Sequence, residues 1–343
     1  MGRRNPTGVA LRRLVCTVEC RPFPPTRNND VARAVGHRVM PLITWIWIPI
    51  VLAAAGAQTI RNASQRSLVK SAGTLAATFV RFAYGLPFAA LGLAAVAALS
   101  PGPLPEPSLS FFAWLLLGAG GQLAATAFLI MAMEERSFVV AVAYSKTEVL
   151  QIGVFSIVLL AEALTLPAIV AIVLATIGVL LLSVKPGAEF GAAMSTWFSP
   201  AALLGLASGA GFALSAVGYR GTMLALDHPL PWVAGTYSLV WAQFFQTLLL
   251  GGYLLVRDRA GLVQVMIQWR VSTLAGLMGA LASMGWLTAF AMRSAVDVRI
   301  VGLVEVLYSY AISRRFFKEP VSWREIAGIV LVTAGIVVIS VAR

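Results

Sequence analysis

A chain of 343 residues with 59% hydrophobic and 12% charged side chains and a mean hydropathy of +0.84 is too apolar for a water-soluble domain, where about a quarter of residues are charged. Its formal net charge of +12 would suit a nucleic-acid partner only if it lay on one face, and it does not. Residues 1–39 hold eight arginines against Glu19 and Asp30, a balance of +6, and the other +6 sits mostly between apolar runs.

The chain opens with a basic extension, residues 1–39, whose "RPFPPTRNND" stretch has the composition of a disordered segment. It contains Cys16, Cys20 and His37 but no apolar core of a signal peptide. A CxxxC with one distant histidine is a weak metal pattern, so no metal or other cofactor is expected. Met40, directly before "PLITWIWIPIVLAAAGA", is a candidate start of translation. The body from that point has no cysteine and only His228, which argues against metal, thiol or histidine catalysis.

Apolar windows long enough to cross a bilayer follow at about 42–60, 72–99, 109–133, 138–160 and 166–184. A second five lie at about 200–219, 233–256, 271–292, 295–317 and 322–341. No segment alternates with the period of a barrel strand, so the expected fold is an all-α integral membrane protein of ten transmembrane helices. Shifting the chain on itself by 157 residues aligns 136–184 with 293–341 without a gap, and 16 of the 49 positions are identical. Arg136, Ser137, Glu148, Glu162 and Gly178 meet Arg293, Ser294, Glu305, Glu319 and Gly335. The expected units are a first five-helix repeat at 40–185, a linker at 186–198 and a second repeat at 199–343. Because five is odd, the second repeat enters the membrane from the opposite side, the inverted plan of secondary transporters.

Charged side chains within such spans are the functional candidates. Glu148 lies midway along the fourth span, with Tyr144 and Gln151 on the same face, while Lys146 points about 200° away around a helix of 3.6 residues per turn. Glu148 either holds the bundle through an ion pair or lines a cavity as a protonatable carboxylate. The same two readings apply to its twin Glu305, which has Tyr308 and Ser309 nearby. Arg81, deep in the second span, is placed to pair with Glu148 or to hold a substrate carboxylate. Trp241 and Trp286 lie within spans, where an inward ring can stack on a solute. Trp45, Trp47, Trp114, Trp232 and Trp323 lie near span ends, where an interfacial belt is the default. The candidate binding or coupling set is therefore Glu148, Glu305, Arg81, Lys146, Tyr144 and Trp286. Glu162 and Glu319 read as caps of the last helix of each repeat. Pro87 should loosen the second span, and the glycines at 118–121 and 205–211 should serve close helix packing.

Three segments, "FVRFAYGLPFA", "LLAEALTLPAIVAIVLATIGVLLLS" and "FFKEPVSWREIAGIVLVTAGIVVIS", resemble the EamA-type ten-helix branch of the drug/metabolite transporter superfamily, and the likeness runs over residues 42–341. The resemblance implies a bacterial inner-membrane carrier, most often an exporter of amino acids, metabolites or drugs. One loop departs from the pattern, since "SPGPLPEPSLS" carries no basic residue. The expected function is secondary active transport of a small organic solute, with protons as a candidate coupling ion. No GxxxxGK[ST] sequence is present for ATP binding, and no clustered Asp, His or Cys points to an intramembrane enzyme. A channel or structural subunit is the alternative.

Orientation is contested between two signals. Loops after odd-numbered spans carry Arg61, Arg66, Lys70, Arg136, Lys185, Arg257, Arg259, Arg270, Arg314, Arg315, Lys318 and Arg324, against Arg220, Arg293, Arg299 and Arg343 on the other face. That bias places the first group in the cytoplasm and both termini outside; the resemblance implies the reverse.

Overall fold

The computed structural model of the protein describes residues 45–100, 102–135, 145, 147–183, 200–305, 307–308 and 323–341. The basic extension with its cysteines, Tyr144, Lys146, the linker, Ser309 and Glu319 lie outside the described residues. Among the described residues there are helices and no strands. In chain order they are α1 (Trp47–Ala72), α2 (Thr74–Ala83), α3 (Gly85–Leu99), α4 (Leu109–Glu135), α5 (Glu148–Leu160) and α6 (Leu166–Ser183). They continue as α7 (Pro200–Leu226), α8 (Pro231–Arg257), α9 (Arg259–Ile267), α10 (Trp269–Met292), α11 (Ala295–Gly302) and α12 (Trp323–Val341).

Among the described residues, five segments are long and apolar enough to cross a membrane: Thr74–Leu99, Leu109–Leu129, Ala202–Leu226, Pro231–Arg257 and Trp269–Met292. The first of these is α2 and α3 together, interrupted at Tyr84. The interruption has a local cause. Pro87 has no N–H to give the carbonyl of Ala83 and its ring crowds that turn, so the helix restarts at Gly85. Tight packing uses the same place, because a Cβ on Gly85 would come within 2.8 Å of the Gln243 amide and 3.2 Å of the Gly276 carbonyl.

The first predicted span differs from expectation. It continues as one helix to Ala72, where Gly73 takes φ 77° and donates its N–H to Val69, and it carries Gln58, Arg61 and Asn62 inside that length. Arg61 therefore belongs to a helix and is 5% exposed, and Arg299 lies within α11. Neither is a loop charge as the sequence tally has it.

Helix pairing is tight where small residues meet. α4 packs on α7 and α1 on α10, while α6 packs on α12. On the α4–α7 seam, a Cβ on Gly121 would meet the Gly211 carbonyl at 2.9 Å, and one on Gly218 would meet Gly118 at 2.5 Å. The "GAGG" and "GLASGAG" runs thus serve backbone approach, as expected.

The α6–α12 seam is reciprocal. Gly178 abuts the backbone of Gly328 and Val332, and Gly335 abuts Ala171 and Ala175, so each contact is the other shifted by 157 residues and the helices run antiparallel. Elsewhere Gln151 lies against Gly209 and Tyr308 lies against Gly56; the side chains are 157 residues apart and the glycines 153.

Candidate functional site

Polar side chains have few places to go in so apolar a bundle, and they converge on one cavity. Its wall includes Gln58 and Arg61 from α1, Arg81 from α2, Gln122 from α4, Tyr219 from α7, Gln243 and Gln246 from α8, Trp286 from α10 and Arg299 from α11. Phe212, Leu239, Leu287 and Phe290 supply apolar surface. The cavity is narrow and partly open, and the roughly 590 Å³ of atom-free space around it includes open solvent.

Glu148, 4% exposed, opens α5 and pairs with Arg299 of α11. Arg81 is not its partner. The Arg299 guanidinium also lies 5.4 Å from the Trp286 ring centroid, a cation–π distance. Trp286 Nε1 donates to Gln58 Oε1 at 3.0 Å. Gln58 Nε2 in turn donates to Glu305 Oε2 at 2.5 Å, and Asn62 Nδ2 to Glu305 Oε1 at 2.9 Å. Arg61 closes the run through Nε and Nη2, which donate to Asn62 Oδ1 at 3.3 and 2.8 Å. Gln58 and Asn62 reach one carboxylate together because residues four apart share a helix face. A continuous polar chain therefore joins the two glutamates through Arg299, Trp286 and the amides of α1.

Across the cavity, Gln246 Nε2 donates to Gln122 Oε1 at 2.8 Å and to the Tyr219 hydroxyl at 3.2 Å. Gln243 Nε2 reaches the Arg81 carbonyl at 3.5 Å, while its Oε1 is buried without a donor. The Arg81 guanidinium lies 4.6 Å from the Phe82 ring centroid, and no described carboxylate pairs with it.

Of the six residues named from sequence, Glu148, Glu305, Arg81 and Trp286 are gathered at or beside the cavity, and Tyr144 and Lys146 lie outside the described residues. Trp241 takes no part; it packs in an aromatic cluster with Phe112, Phe244 and Phe245. Trp47 departs from the belt reading, since it is 3% exposed and has Arg293 above its ring. Glu162 also departs from its expected role. The N-terminal bond of α6 is Ala168 N–H to Thr165 Oγ1 at 3.3 Å, and Glu162 instead accepts from Arg220 Nε at 2.8 Å. Arg220 Nη1 further donates to the Phe290 carbonyl at 2.6 Å, tying α7 to α10.

Sequence reasoning missed Gln58, Arg61, Gln122, Gln243, Gln246 and Arg299. The available signal was the spacing of amides inside apolar helices: Gln58 with Asn62, and Gln243 with Gln246, are one turn apart.

No protein-family model matches the sequence, and no curated protein matches it significantly. Among solved structures, the chain is similar to a crystal structure described only as that of a protein, with 17% identity and a TM-score of 0.63 over 85% of this chain and 95% of that one. At that identity the likeness concerns the fold.

Proposed function

We propose that this chain is a secondary active transporter of the EamA-type, ten-helix plan, moving a small organic solute across a bacterial inner membrane by alternating access between two inverted five-helix repeats. One observation carries the reading: a polar cavity inside an apolar bundle, walled by helices from both halves of the chain. Burying so many amides and guanidiniums is costly unless they are satisfied or used, and a solute path through the midplane uses them.

The reciprocal seams support the repeat. An antiparallel contact that maps onto itself under the 157-residue shift, as between α6 and α12, is what a two-fold axis across the helices produces. The pairing of α4 with α7 and of α1 with α10 also exchanges into itself when the halves are swapped. Interruptions near Tyr84 and Leu303, beside Arg81 and Glu305, resemble the discontinuous helices that line transporter sites.

The test is a thermal-shift screen of purified protein against neutral, anionic, cationic and zwitterionic solutes, followed by counterflow of the best binder in proteoliposomes. A carrier gives a transient overshoot of labelled solute when the lumen is preloaded with unlabelled solute. A pore gives equilibration without overshoot, and a structural subunit gives no flux above that of empty liposomes.

A further inference from the structure

The charge of the cavity wall is lopsided. Arg61, Arg81 and Arg299 line it, and among its described residues there is no carboxylate. Two of the three guanidiniums are answered from just outside the wall. Arg299 pairs with Glu148, and Arg61 bonds to Asn62, whose amide donates to Glu305. Arg81 makes no direct ion pair with a described acid: it is stacked on Phe82, and Glu305 acts on it only at a distance, through charge. Next to it, the buried Oε1 of Gln243 lacks a donor.

We propose that the solute is an organic monocarboxylate, its carboxylate held by Arg81 and its body lying against Phe212, Leu239, Leu287 and Phe290; this rests on the transporter reading above. The number of charges follows from the balance among the described residues: once Glu148 and Glu305 are set against Arg299 and Arg61, one positive charge remains. A guanidinium suits a carboxylate because two parallel N–H groups meet its two oxygens. A zwitterionic amino acid is a poorer fit, since its ammonium would enter a wall of three guanidiniums without a carboxylate to receive it.

The experiment uses the full chain in lipid nanodiscs and four probes of one ring size: benzoate, benzyl alcohol, phenylalanine and phenylphosphonate, read by tryptophan fluorescence and thermal shift. Benzoate is expected to bind saturably and about tenfold or more tightly than benzyl alcohol or phenylalanine, the scale of one charge-assisted hydrogen-bonded contact. Phenylphosphonate, which brings a second charge, should bind more weakly than benzoate. Arg81→Gln should weaken benzoate about tenfold and leave benzyl alcohol unchanged, with Arg81→Lys in between. Equal binding of benzyl alcohol, tighter binding of phenylalanine or phenylphosphonate, no binding of benzoate, or an indifferent Arg81→Gln would each overturn the inference. If Arg81→Gln does not fold, the ranking of probes on the unaltered protein decides. Failure of this inference and failure of transport are separable. Counterflow of a neutral or cationic solute would keep the carrier and sink the carboxylate, whereas benzoate binding without counterflow of any solute would do the reverse.

Discussion

Glu148 and Glu305 occupy the same position of the 157-residue repeat, yet their surroundings differ in kind. Glu148 is 4% exposed and faces the guanidinium of Arg299; its charge is cancelled on the spot. Glu305 is half-buried and is held by two neutral amides of one helix face, Gln58 and Asn62. Two residues aligned by a 157-residue shift of the sequence thus sit in unlike surroundings. Position 142, the first-repeat equivalent of Arg299, is a valine. An ion pair locks charge against charge; the other carboxylate is held by two neutral amide donors.

The largest expected effect follows from the locked member. Glu148→Gln removes the counter-charge of Arg299, and breaking a buried pair costs about 3–5 kcal/mol in soluble proteins. Folded yield should collapse and the melting temperature of any survivor should fall sharply. The double variant Glu148→Gln with Arg299→Gln should recover much of the loss, because no lone charge is left behind. A Glu148→Gln protein with unaltered melting would show that the pair holds nothing.

Next comes the twin. Glu305→Gln keeps an acceptor oxygen for one amide donor and exchanges charge-assisted hydrogen bonds for neutral ones, a loss of about 1 kcal/mol. Folding should survive, and the pH dependence of solute flux should flatten if protons couple there. Equal damage from both glutamine variants would erase the contrast between the two sites.

A third effect concerns the seam between α6 and α12. Gly178→Ala would press its methyl to 2.8 Å from the backbone of Gly328 and Val332, whereas Gly335→Ala meets Ala171 O at 3.0 Å and Ala175 N at 3.4 Å. Overpacking against backbone costs about 1–3 kcal/mol, so Gly178→Ala should lower thermal stability more than its twin. The opposite order of melting temperatures would mean that the seam relaxes on the other side.

Much of this was legible before the structure, for reasons that can be named. Glu148, Glu305, Arg81 and Trp286 stand out because charge or a large ring inside an apolar run is expensive to place. The glycine runs were readable because helices approach closely only over small residues. Two things hid the rest. The apolar window ends at Ile60, so in the sequence Arg61 reads as a loop charge; hydropathy measures lipid-facing surface and is blind to a helix with one polar face turned inward. Arg299 was lost in the same way, because a net charge count cannot distinguish a solvated arginine from one paired across the bundle. Glu162 was assigned by sequence neighbourhood to capping α6, and its ion pair with Arg220 of α7 lies 58 residues away along the chain, beyond the reach of local reasoning.

The proposed transport requires the polar cavity to open to each side of the membrane by turns, and one residue on its wall tests that directly. Ser283 lines the cavity, and the body is free of cysteine, so Ser283→Cys in a chain with Cys16 and Cys20 changed to Ser presents one thiol. An impermeant thiol reagent should modify it from outside in intact cells and, separately, from the cytoplasmic face in inverted vesicles, and a saturating solute should slow both reactions. Reaction from one face alone, or from neither, would contradict alternating access.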